Sequence, residues 1–541
     1  MTILRILDDS IATMERSLAS SLTTVEAVRL LAQARKERNA QAPINQLPIE
    51  LLATLFNAAV ISPRFVPSDQ SHLQRLGTIA KVCSRWSIIV KNTPSLWAVV
   101  EPKVSNETLF FLLEQSKKSP LTIMLGRGYN QNRDKGMSRA LWAASSRITK
   151  KILPEIIRWQ TVDVGVEKRH SIIRGLESPA PILEEFNFHL ELPWTDGPVD
   201  LFRGEAPRLR QLRLSGLPLA WPQNQELFQN LTDLDMNRIW EHGPTLAELL
   251  NAIHASPRLQ TLTLRDVVFS PNSVMTYPRP MVLKSLKKMS ITVFSYLHSQ
   301  IILSSIHAPA LKTLIVVPNG LSASNDPYSF VDISIHHFAT SIQACLNDAR
   351  HLEIVLNLNS IDLRTVTDDP DSGSHFWIRL PHESNAESFD ACLPRFIVDT
   401  PHNLPVRLQV EGFPLFSPEE FQGLFERLKW VTTIELRPWA MNAGVDELLH
   451  VMAFGWVDHG AKRWPFPRLI SLRSHIWADP DLLIQLVKQR GGRGVQLDGD
   501  LAPCEELPGE LPARIASFGM QRLHILLGEP QGDEIEKASG H

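Results

Sequence analysis

The sequence predicts an α/β chain in three parts: an N-terminal helix, a small three-helix module, and an irregular solenoid with a curved parallel sheet and helices on its convex side. Three observations predict it. Apolar residues step by three and four along residues 4–32; apolar runs at helical spacing alternate with prolines between 44 and 97; and short runs with leucines at alternate positions recur beyond 97.

The chain of 541 residues, 43% hydrophobic and 21% charged, is long enough to bury a large core. Its formal net charge of −3 gives no electrostatic footprint for nucleic acid, and the basic runs "KSLKK" (284–288) and "RKER" (35–38) read as solvated faces. Cys83, Cys345, Cys392 and Cys504 are far apart and form no C-x-x-C, so neither a disulfide framework nor a zinc site is expected. No signal peptide or membrane span is indicated, and the expectation is a reducing, cytoplasmic or nuclear location.

Leu4, Leu7, Ile11, Met14, Leu18, Val25, Val28 and Ala32 trace the seam of the N-terminal helix, assigned to residues 1–43. The seam is suited either to a coiled coil or to packing on the body of the protein. Asn39 and Pro43 punctuate its end.

Residues 44–97 form the helical module. Leu47, Leu51, Leu52 and Leu55 make one stripe, with Pro48 in the first turn, where its missing N–H costs nothing. "SPRFVPSDQ" (62–70) reads as a loop; Leu73, Leu76, Ile79, Ala80 and Cys83 make a second stripe; and "SRWSIIVKN" (84–92) runs on to a stop at Pro94. Trp97 and the following "AVV" are expected to open the first strand.

Residues 98–530 are read as the solenoid. Its strand candidates are "EEFNF" (184–188), "RQLRL" (210–214), "TDLDM" (232–236), "QTLTL" (260–264), "KKMSI" (287–291), "KTLIV" (312–316), "TTIEL" (432–436) and "LISLR" (469–473). The first six start 26, 22, 28, 27 and 25 residues apart, a period that marks leucine-rich repeats. Helices between strands carry start signals. Thr245 and Glu248 are spaced as a capping box ahead of Leu246, Leu249, Leu250 and Ile253; Ser417 and Glu420 repeat the arrangement; and Asp479 and Gly491 bracket a further helix. The regularity breaks at about 318–405, where long loops or an insertion are expected, and 531–541 reads as a frayed tail.

"LPIELLATLF" followed by "VCSRWSIIVKNTPSLW" resembles an F-box, through Leu47, Pro48, Glu50, Leu51, Leu52, Phe56, Val82, Cys83, Arg85, Trp86, Pro94, Leu96 and Trp97. With the heptad helix before it and repeats after it, the chain is similar to the F-box proteins expanded in mushroom-forming fungi. The resemblance covers about a tenth of the chain, and the stretch "AAVISPRFVPSDQSH" makes the loop between the first two helices longer than in a compact F-box. It implies docking on a Skp-type adaptor of a cullin–RING ubiquitin ligase through Leu47, Pro48, Glu50, Leu51, Leu52, Leu55, Phe56, Val82, Cys83 and Trp86, while the repeats capture a protein substrate. A module of this size cannot bury all those apolar side chains, so they mark either a partner surface or a contact with the first repeat.

No enzyme constellation emerges: "GRG" (126–128) and "GGRG" (491–494) lack phosphate-cradle spacing, the adjacent pair His336–His337 has no metal-ligand spacing, and "DDPDSG" (368–373) lacks the closing Glu of a calcium loop. No cofactor, metal or membrane partner is expected, and the chain is expected to do no bond chemistry. Trp221, Trp240, Trp439 and Trp477 follow strand candidates; each suits either a binding hot spot for substrate or a plug between strand and returning helix. The leading expectation is a substrate-recognition subunit of a ubiquitin ligase, with a Skp-binding or repeat-based scaffold outside ubiquitination as the alternative.

Overall fold

The computed structural model describes residues 2–20, 25–61, 71–102, 104–125, 139–167, 170–221, 224–270, 281–293, 296–317, 345–357, 360–367, 375–381, 404–410 and 431–436, together with residue 342 and short runs between 450 and 526. The chain divides into two compact units, Met1–Leu227 and Phe228–His541. Both are mixed α/β, with sheets that are wholly or mostly parallel.

The first unit opens with two helices where the seam suggests one: α1 (Thr2–Ser20) and α2 (Val25–Gln41). They run antiparallel, because Arg35 meets Glu15 at 2.6 Å and Arg38 meets Asp8 at 2.8 Å. The intervening residues include Ser21, Thr23 and Thr24, all weak helix formers. Leu7, Ile11 and Leu31 are half-buried, whereas the seam residues Met14 and Val28 are exposed.

Three helices follow, α3 (Ile49–Ile61), α4 (His72–Ala80) and α5 (Ser84–Asn92). They close around Leu52, Phe56, Val60, Leu76, Ile89, Val90 and Leu96. Ser71 and Gln74 form a reciprocal capping box at the start of α4, satisfying two backbone donors that the helix leaves open. A 3-10 turn, Pro94–Trp97, leads into β1 (Val99–Val100), so Trp97 precedes the first strand rather than lying in it.

β1 begins a five-stranded parallel sheet with β2 (Leu121–Met124), β3 (Trp159–Val166), β4 (Glu185–Leu190) and β5 (Gln211–Ser215). Helices α6 (Asn106–Ser116), α7 (Arg139–Ile152) and α8 (His170–Gly175) lie between successive strands in the chain. Register places Val162, Phe186 and Leu212 in one buried row and Val164, Phe188 and Leu214 in the next. A slip of one residue would turn these rows to the other face, so the apolar alternation fixes the pairing.

In the second unit, β6 (Asp233–Ile239), β7 (Thr261–Val267), β9 (Lys288–Val293) and β11 (Thr313–Val316) pair in parallel; β8 (Met281–Val282) and β10 (Ile306–His307) form a small parallel pair of their own. Helix α9 (Leu246–His254) carries both arms of the expected capping box at Thr245 and Glu248, and α10 (Tyr296–Ser305) follows β9.

The interval 318–405, where long loops or an insertion are expected, is where the regular parallel pairing breaks. Among its described residues, β12 (His351–Asn357), β13 (Ser360–Val366) and β14 (His375–Pro381) form an antiparallel meander that continues the sheet. Its last strand, β14, pairs with β11, and its first, β12, pairs with β15 (Val406–Val410). β16 (Val431–Leu436) and, past the separate hairpin of β17 (Trp456–Asp458) and β18 (Ala461–Arg463), β19 (Ser471–Ser474) resume parallel pairing. β20 (Gly494–Leu497), β21 (Asp500–Ala502) and β22 (Leu523–Leu526) close the chain in antiparallel fashion. The spatial order is therefore 6-7-9-11-14-13-12-15-16-19-22-20-21, and every strand candidate named above overlaps a strand. The helix expected after Ser417 lies outside the described residues, as does nearly all of the one between Asp479 and Gly491.

Candidate functional site

The helical module has two kinds of apolar side chain. Along α3, Leu52, Phe56 and Val60 fall at i, i+4 and i+8 and face the core, with Leu52 0% and Phe56 4% exposed. Leu51 and Leu55, i and i+4 on the adjoining side of the same helix, face solvent, 52% and 48% exposed, as does Pro48, which immediately precedes the helix. Leu52 and Phe56, expected to touch a partner, are instead the side chains that hold the module together. The one-residue offset between Leu51 and Leu52 turns the side chain by about 100° around the helix axis, and that rotation separates surface from core.

The remaining expected contact residues divide in the same way. Val82 and Glu50 are exposed, Leu47, Cys83 and Trp86 half-buried, with Leu47 and Trp86 packed on the core. Trp86 meets the ring of Phe56 at 4.8 Å between centroids. Ile49 and Ile88 are also exposed, 55% and 58%, although the sequence reading left them out. Ile88 sits three residues beyond Arg85 on the outer side of α5, and that spacing was the available signal.

Two polar clusters fix this surface. Asn45, only 6% exposed, accepts from Trp86 Nε1 at 2.6 Å through Oδ1 and donates to the Asn39 carbonyl at 2.7 Å through Nδ2. Arg85 donates to the carbonyls of Asn45 and, at 2.8 Å, of Leu47. The segment entering α3 is thereby tied to α5, which sets where Pro48 and Leu51 stand. At the other end, His72 Nε2 donates to the Leu96 carbonyl at 2.7 Å, the His72 backbone N–H donates to Glu101 Oε2 at 2.6 Å, and Arg75 pairs with Glu101 at 3.3 Å. Trp97 donates from Nε1 to the Val90 carbonyl and meets Phe111 of α6 edge-on at 5.5 Å. The module is mounted on the strand that follows it by buried or half-buried hydrogen bonds, which are stronger than exposed ones.

Of the four tryptophans, Trp221 is buried in the first unit, as a plug would be. Trp240 in the second is 49% exposed, with the guanidinium of Arg238 5.8 Å from its ring centroid. Trp439 and Trp477 lie outside the described residues.

Cys345 is buried beneath the Lys312 carbonyl, and burial pushes its thiol up to about 12, which leaves it a protonated, unreactive group at neutral pH. Among the described residues no group of three or more His, Cys, Asp and Glu is placed to hold a metal ion, and no helix is long and apolar enough to cross a membrane. No protein-family model matches the chain, and no curated protein matches it in sequence.

Proposed function

We propose that the protein is the substrate-recognition subunit of a Skp–cullin–F-box ubiquitin ligase, with residues 44–97 docking the Skp-type adaptor and the α/β remainder receiving the target protein. The observation that carries this reading is the exposed Leu51 and Leu55, with Pro48 just ahead of them, at a helix whose other side already completes a core. Apolar side chains left out of a finished core are what a partner surface requires. Val82 and Ile88 add exposed apolar area on the same module. The motif resemblance at Leu47–Leu52 and Val82–Trp97 supplies the identity of the partner. In this reading, solenoid repeats carry the target, and the conjugating and RING subunits carry the chemistry.

The test is co-purification of the full chain with a Skp-type adaptor, comparing the native protein with the Leu51→Asp, Leu55→Asp double variant. Both positions are exposed, so the variant should unfold at the native temperature while losing the adaptor. Adaptor retained by the variant, or none bound by a folded native chain, would overturn the reading. Cullin-dependent turnover of a bound protein separates a ligase receptor from a scaffold that holds the adaptor outside ubiquitination.

A further inference from the structure

The N-terminal hairpin has no core of its own. Among the described residues of α1 and α2 no side chain is buried: Leu7, Ile11, Leu31, Ala34 and Asn39 are half-buried and the others are exposed. The hairpin meets the body at its closing end, where Asn39 and the 3-10 turn Pro43–Gln46 gather around the buried Asn45. Helices of 19 and 17 residues draw most of their stability from packing an apolar face. One hairpin alone leaves that packing half made.

Its two faces are unlike. The ion pairs Glu15–Arg35 and Asp8–Arg38 mark one of them. Met14 precedes Glu15 by one residue, Leu7 precedes Asp8, and Ala34 precedes Arg35, which turns each by about 100° back around its helix axis. Because the helices are antiparallel, that rotation carries all three to the face opposite the Glu15–Arg35 pair. Leu30, one turn before Ala34, joins them, and Ser10 lies between Leu7 and Met14. None of these five side chains is charged, yet Met14 is 37% and Leu30 60% exposed. A contiguous apolar face of this kind asks for a cover.

Three features of the hairpin fit a second copy of the same chain. The first is shape. The Glu15–Arg35 contact sets Met14 and Ala34 level with each other across the hairpin, so a twofold axis parallel to the helices lays α1 antiparallel on α2 of the second copy, with each Met14 over a small Ala34. The second is charge: acids outnumber bases three to two on α1, and bases outnumber acids four to two on α2. Laying α1 on the other copy's α2 sets opposite net charges and opposite helix dipoles side by side. The third is area. Helices about 28 and 26 Å long, side by side over a width of about 20 Å, offer a footprint of about 500 Å² per copy. Two such footprints reach about 1,000 Å², the lower bound for a specific interface.

We infer that the protein pairs with a second copy of itself through Leu7, Met14, Leu30 and Ala34, the two hairpins forming an antiparallel four-helix bundle. This goes beyond adaptor docking and stands whether or not the helical module binds an adaptor. A twofold pairing closes on itself, so association stops at two copies.

The experiment is sedimentation equilibrium of the full chain at roughly 1–100 µM, the range suited to an interface at the lower size bound. The native chain should move from monomer to dimer with no larger species. Met14→Asp with Leu30→Asp places carboxylates on the apolar face and should weaken pairing by at least about a hundredfold. Leu30→Gln keeps a good helix former and adds no charge, and should weaken it several-fold even if the double variant disturbs the hairpin. Ile157→Asp, at an equally exposed apolar side chain outside the hairpin, should leave pairing unchanged. A native chain that is monomeric throughout, growth beyond two copies, a dimer that survives in the folded double variant or is unchanged in Leu30→Gln, or a dimer lost in folded Ile157→Asp would each overturn the inference.

Discussion

Trp86 Nε1 donates to Asn45 Oδ1 at 2.6 Å across a sequence separation of 41 residues. This single bond ties the turn before α3 to α5. Because Asn45 also holds the Asn39 carbonyl, the end of α2 is fixed to the same point. The N-terminal hairpin and the helical module therefore share one buried polar anchor.

Asn45→Ala should destabilise the chain by about 1–3 kcal/mol, because it strands a half-buried indole donor as well as losing its own bonds. Thermal unfolding measures the cost. Adaptor binding should weaken with it, since Leu47 and Pro48 follow directly.

Leu52→Ala and Leu51→Ala are adjacent and should behave oppositely. The first opens a cavity in the module core and should cost roughly 2–5 kcal/mol. The second trims an exposed side chain and should stay within about 0.5 kcal/mol. Denaturant unfolding of the two variants, with adaptor binding read alongside, separates core from surface.

Thr245→Ala removes the N-cap of α9, whose side chain accepts from the Glu248 N–H at 3.2 Å while Glu248 reaches back to the Thr245 N–H at 2.8 Å. The expected loss is about 0.5–2 kcal/mol. Gly243→Ala, two residues earlier, should cost more, because its new methyl group would run into the Val268 carbonyl, a backbone atom that cannot rotate away. Unfolding midpoints of the two variants should rank in that order.

His298, His351 and His375 of the second unit all titrate below the ordinary histidine value, chiefly because burial disfavours their charged form. At His351 the Glu353 carboxylate opposes that shift, and at His375 a hydrogen bond that the ring donates to the Thr365 backbone carbonyl does. Below pH about 6.5 the unfolded chain takes up protons that the folded chain refuses. Stability is thus present above that pH and lost as the pH falls. The unfolding midpoint should drop between pH about 7.5 and about 5.5, and His298→Gln should make the decline shallower.

The parallel strands were legible because their inward residues, such as Leu212 with Leu214 and Leu262 with Leu264, fall on alternate positions at a regular interval. The meander kept the alternation in "HLEIVLN" but lost the interval, and strand direction leaves no mark on composition. The apolar residues of the module were legible as a set, while their division into core and surface was not: Leu51 and Leu52 differ only in azimuth. The pairs Arg364–Glu353 and Arg379–Asp362 were invisible because they join residues 11 and 17 apart on strands whose register has to be known first.

The meander also governs how the second unit can assemble. From β11 the chain passes over two strand positions to lay down β12, steps back through β13 and β14, and then returns to place β15 beside β12. A stack of repeats can grow one neighbour at a time from any starting point. Here β15 adds to β12 rather than to β14, so the later strands become continuous with β11 only when the reversal is complete. Growth from the N-terminal side must therefore pause at β11 for a nonlocal closure, which slows folding and binds the two halves of the sheet into one cooperative transition.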